Sequence, residues 1–170
     1  MRMTVRSRGI VLALAALGGG LSLTGCGTTN VAAIVDGSVI TQDEVEAAAD
    51  QLNEQFDPPQ PITPKQVLGA LIIAPTVISS AEKYGHPQAA DAAATSLTKV
   101  SDPAASTVAI IQENTALQAA QQAEQQELVA AVTKLKVTVN PQYGAFDPNT
   151  ATVTDITPSW ITSAEPAAQQ

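Results

Sequence analysis

One piece of helix-start chemistry occurs twice in this chain, and the stretch between the two copies forbids a helix. Thr41-Gln-Asp-Glu44 is a capping box: the threonine hydroxyl accepts a backbone N–H while the glutamate reaches back to the cap's own N–H. Thr63-Pro64-Lys-Gln66 repeats it, with proline at the first helical position and glutamine at the third. DPPQP (57–61) lies between, where consecutive prolines exclude helix and favour extended backbone. Any fold must therefore join two capped helices through a proline loop. The loop reads as a connector; a ligand for a proline-recognising domain is the alternative.

The first helix places Val45, Ala48, Ala49, Leu52 and Phe56 on one stripe, with its acids opposite. On the second, Val67, Ala70, Leu71, Ala74, Val77, Ile78, Ala81 and Tyr84 share a face, and Leu68 and Ile72 stand off to the side. That helix is apolar around more than half its circumference, so it is central or offers apolar surface. Pro75 inside it predicts a kink, and Gly85 ends it.

His86-Pro87 opens a weaker helical segment to about Val100, and Asp102-Pro103 reads as the cap and first residue of a long helix to about Leu135. Unbroken, that helix spans about 50 Å. Ile110, Leu117, Leu128 and Leu135 lie on one line, and Gln121 and Glu124 interrupt it, so the two ends pack on different things. The alanine and glutamine run at 116–131 suits a helix.

Strands frame the helices. Val31 to Val35 reads as a strand closing in an Asp36-Gly37 turn. Leu135, Val137 and Val139 alternate as a second strand, and ATVTDI (151–156) supplies a third. SAEPAAQQ at the end reads as a frayed tail.

The only cysteine, Cys26, follows arginines 2, 6 and 8 and the apolar run IVLALAALGGGL (10–21). That layout is a secretory signal, with an apolar core too short for a bilayer that needs roughly 20 residues. Leu23-Thr24-Gly25-Cys26 resembles the bacterial lipobox, which implies a lipid on the Cys26 sulfur and a protein held outside the cytoplasmic membrane. The parts are then a signal at 1–25, a lipidated tether at 26–30, one domain at 31–160 and a tail at 161–170. From Cys26 onward the chain carries 5 lysines against 16 aspartates and glutamates. Eleven excess negative charges leave no basis for nucleic-acid binding, and they favour basic polypeptide segments as partners. A single cysteine makes no intrachain disulfide, so stability must come from packing.

AAIVDGSVITQDEVE (32–46) resembles the opening of the SurA-type chaperones and PrsA-type foldases, where Val-Asn-Gly-x-x-Ile-Thr/Ser precedes a glutamate. AEKYG (81–85) is similar to the end of that family's second helix, and VTVNPQYGAFD (137–147) to its returning strand. Asp36 stands where asparagine is usual. The resemblance implies a mainly α fold: a helical SurA N-terminal or trigger-factor-C-like peptide-binding domain, with a small antiparallel sheet joining the N- and C-terminal strands. Members often insert parvulin isomerase domains of roughly a hundred residues that use paired histidines; this chain has one histidine and no room for such a domain.

Catalysis finds little footing. His86 is the only imidazole and reads as a solvated turn residue, where a triad needs a base beside its nucleophile and zinc needs several ligands. Asp43, Glu44 and Glu46 fall where a helix dipole favours negative charge anyway. The expectation is a non-enzymatic, cofactor-free, membrane-anchored chaperone-like module for unfolded or exported polypeptides. Phe56, Leu68, Ile72 and Pro75 are its candidate peptide-binding groove. Docking on one dedicated folded partner, or carriage of a small apolar ligand, are the competing classes.

Overall fold

A computed structural model describes residues 30–156, so the signal-like segment, Cys26 and the tail from 157 lie outside the described residues. Within them the chain is mainly helical, with a small antiparallel sheet. β1 (Val31–Val35) turns at Asp36 and Gly37 into β2 (Ser38–Thr41). Both turn residues have positive φ, 48° and 90°. This is the two-residue turn whose twist matches that of paired strands, and aspartate and glycine tolerate it. The turn is also tied to the far end of the chain. Asp36 N donates to Lys136 O, and Asp36 Oδ1 accepts from Lys136 N, each at 3.0 Å.

β3 (Val137–Val139) then runs antiparallel to β1 with Ala33 opposite Val139, giving the order β2-β1-β3. Asn140 closes the seam, donating from its backbone to Ala32 O (2.8 Å) and from Nδ2 to Val31 O (2.9 Å). The first and returning strands are therefore neighbours, as the resemblance implies. Leu135, expected in the strand, sits half-buried just before it.

α1 (Gln42–Phe56) starts at Thr41 with both arms of its capping box made. It buries Val45, Ala48, Ala49 and Leu52, and its polar side chains hold three loops. Asn53 Oδ1 accepts from Ile62 N (2.7 Å) and its Nδ2 donates to Ile62 O (2.9 Å), which fixes the proline loop. Gln55 accepts from Lys99 N and donates to Ser96 O, at the end of α3 (Ala90–Ser96). Gln51 Oε1 accepts from Ala104 N (2.9 Å) and Thr107 Oγ1 (2.6 Å), and its Nε2 donates to Asp102 O (3.1 Å). Thus α4 (Ala105–Ala119) takes its cap from a neighbouring helix, and the expected Asp102-Pro103 start is corrected: its N-cap is Ala104, with no side-chain cap of its own.

α2 (Pro64–Lys83) is the central element, capped by Thr63 and Gln66 and buried along most of its length. It ends in a Schellman motif, with His86 N bonding Ala81 O (3.0 Å), Gly85 N bonding Glu82 O (3.1 Å), and Gly85 at φ 84°. The expected single long helix after it is two. α4 stops at Ala119, Ala120 and Gln121 are extended, and α5 (Gln122–Val132) follows. No glycine or proline marks that break. Gln125 Nε2 donates to Ala120 O (3.0 Å), satisfying a carbonyl the break exposes. The hairpin β4 (Ala145–Asp147) and β5 (Thr152–Thr154) packs on α2, with Ala151 and Val153 backbone beside Gly69.

Candidate functional site: an open strand edge beside an apolar cleft

Residues expected together in a groove are dispersed. Leu68 and Ile72 are both 0 % exposed and belong to the core, which corrects the expectation that they offer apolar surface. The reason is that the sheet, α1 and α4 all pack on α2, and they cover the side that carries Leu68 and Ile72. Phe56 is 56 % exposed at the end of α1, on the rim of a separate cleft that includes Ile62, Ala70 and Ile111. Pro75 is exposed and lines a different cleft, farther along α2 and also bordered by α4.

That second cleft has a volume of about 500 Å³, within the range of ligand sites. Its floor is Leu71, Ala74, Pro75 and Ile78 of α2 with Ala105 and Ala109 of α4, and one wall is β2 through Val39 and Ile40. Consecutive strand residues point to opposite faces of a sheet. Since both line the cleft, it meets β2 edge-on.

Among the described residues the edge itself is open. β2 is the outer strand of its sheet, and its pairing runs Val35 with Ser38 and Ile34 with Val39. In a two-residue hairpin the residues flanking the turn are the hydrogen-bonded pair, so the next pair, Ile34 and Val39, is not. The Val39 N–H and C=O therefore point away from β1, toward the cleft side. Val39 is also 53 % exposed. At the next outward position, the Thr41 N–H is already taken by Glu44 Oε2 at 2.7 Å. The strand thus offers one donor and one acceptor at a single residue, beside apolar surface. Sequence reading missed this because Ser-Val-Ile-Thr is too short for a period and runs straight into a helix cap.

A polar cluster lies around the turn that ends α2. Glu124 of α5 is 1 % exposed, accepts from Ser80 Oγ (3.3 Å) and has His86 Nε2 at 2.8 Å from its Oε2. His86 is therefore not a solvated turn residue. The Schellman motif turns its ring onto α5, and its Nδ1 is buried with no partner among the described residues. One turn on, Glu127 pairs with Lys83 and accepts from Tyr84 OH (2.6 Å). Those hydrogen bonds hold the Glu127 carboxyl below the usual carboxylate range.

Comparison of the chain with family models, curated proteins and solved structures finds no match. The functional reading therefore rests on residues and geometry.

Proposed function

We propose that this chain is a non-catalytic module that binds extended polypeptide segments by lending them the β2 edge. A guest strand would hydrogen-bond to the Val39 backbone and lay an apolar side chain on the Leu71, Ala74, Pro75 and Ile78 floor. Strand addition to a free edge with a neighbouring side-chain pocket is a recurring mode of peptide recognition. The observation that carries the reading is the coincidence of the outward-facing Val39 backbone with that cleft.

The affinity would be modest. Two net hydrogen bonds contribute about 0.5–1.5 kcal/mol each, and one buried aliphatic side chain about 1.5–3 kcal/mol. Weak, sequence-tolerant binding suits a chaperone-like protein that holds unfolded or exported chains and lets them go. The lipobox-like Leu23 to Cys26 supports an extracytoplasmic place, tethered to the cell membrane through Cys26.

The test is suppression of aggregation for several unrelated unfolded proteins at near-stoichiometric amounts. Val39→Pro removes the outward donor but no bond to β1, since proline is tolerated at the solvent side of an edge strand. Ala109→Phe fills the cleft instead. Both variants should lose suppression while keeping the parent's thermal midpoint. Full activity in both would overturn the reading, and capture of a single folded partner without suppression would point to a dedicated docking protein.

A further inference from the structure

The charge around the cleft says more about the guest than the cleft's shape does. Among the described residues only two charged ones line it, Glu44 of α1 and Glu82 of α2, and both are acidic. Glu44 spends Oε2 on the two donors of Thr41, and Oε1 has no hydrogen-bond partner among the described residues. The Glu82 carboxylate enters no ion pair or side-chain hydrogen bond among the described residues. Its neighbour Lys83 is committed to Glu127 on α5, away from the cleft. α1 adds exposed Asp43 and Glu46 beside Glu44 and contains no lysine or arginine.

The geometry points to one class of occupant: an extended cationic segment, in which an apolar residue is flanked by lysine or arginine. The apolar residue enters the cleft, its backbone pairs with Val39, and the flanking cations meet Glu44 and Glu82. This rests on the strand-edge reading above and adds the chemistry of the guest.

Two other occupants fit worse on the same grounds. A second copy, pairing β2 to β2, would bring its own Glu44 and Glu82 against these, and like charges facing each other are costly. The chain's own last residues, TPSWITSAEPAAQQ (157–170), contain no lysine or arginine and one glutamate, so they offer the two carboxylates nothing.

The test uses the full chain and three fluorescent peptides with one shared valine-rich core, ending in lysines, glutamines or glutamates. Fluorescence anisotropy should rank them lysine, glutamine, glutamate. Exposed charge pairs of ordinary strength give a span of about tenfold at low salt. The span should collapse at about 0.5 M salt, where the screening length falls to a few ångströms. Glu82→Lys should narrow or reverse the ranking, and Ala109→Phe should weaken all three peptides alike.

Equal affinity for the three peptides, or a ranking indifferent to salt, overturns the cationic assignment while leaving the strand-edge reading standing. Binding of none of them overturns both. A dimer in sedimentation that Val39→Pro dissolves would give the edge to a second copy and also overturn the assignment.

Discussion

Two glutamates are buried on successive helices, and the chain treats them in opposite ways. Glu113 of α4 is 6 % exposed, and burial alone pushes its carboxyl up to about 7. Glu124 of α5 is more deeply buried, yet it has His86 and Ser80 as partners. α4 packs on α1, α2 and α3, whereas α5 reaches the core mainly through Leu128 and Val132 and otherwise attaches by carboxylates to the last turn of α2. α4 is held by packing on three helices, with Ser106 and Thr107 bonded to α1, and keeps a buried acid that has no side-chain partner among the described residues. α5 is held in large part by polar partners, and without them its buried acid would be a liability.

The largest perturbation should erase the contrast. Ile72, 0 % exposed, belongs to the core that both helices share. Ile72→Ala should cost about 4 kcal/mol of global stability, within the range for truncating a buried aliphatic residue. Hydrogen exchange should quicken on α4 and α5 together. Faster exchange confined to one of them would show that the core is two units.

Glu124→Ala should separate the helices. Removing the acceptor that His86 and Ser80 share costs up to about 3 kcal/mol, and it leaves both without that partner. Amides of residues 122–132 should exchange faster than those of 105–119, because the extended residues Ala120 and Gln121 allow α5 to open first. Equal quickening of both would mean that α5 does not open independently.

These polar ties also mark where sequence reading stopped. The two capping boxes, the Asp36-Gly37 turn and the α1 stripe as far as Leu52 were legible, because local hydrogen bonding and spacing encode them; the meeting of β1 with β3 was expected only from the resemblance, since it joins residues about a hundred apart. The break after Ala119 was not: alanine and glutamine favour helix throughout, and what bends the chain is the docking of Glu124 and Glu127 on α2, a tertiary effect. The α4 cap was invisible for the same reason, being Gln51 of another helix. Leu68 and Ile72 sat off the main apolar line, and only the number of elements packed around α2 makes that side interior too. The open edge at Val39 emerges only once β1, β2 and their register are known.

Glu113 gives an effect with a defined sign. Its folded-state value is raised above the ordinary carboxylate range. From that range up to about 7, the folded protein holds a proton that the unfolded chain has already released. The stabilisation is complete below the unfolded-state value and is lost as pH rises through the window, by about 3 kcal/mol. Glu113→Gln should flatten the thermal midpoint across pH 5 to 8. A slope that survives the substitution would assign the pH dependence elsewhere.

Gly85 provides the smallest expected change and the sharpest link between α2 and α5. At φ 84° a side chain is strained, although an added Cβ would meet open space, so Gly85→Ala should cost about 1 kcal/mol through the backbone alone. The same glycine carries the chain around so that His86 reaches Glu124. If this turn positions the histidine, the losses from Gly85→Ala and Glu124→Ala will fall short of additivity, since each disturbs the same contact. Strictly additive losses would make Gly85 a helix terminator only, and the hold on α5 would then owe nothing to how α2 ends.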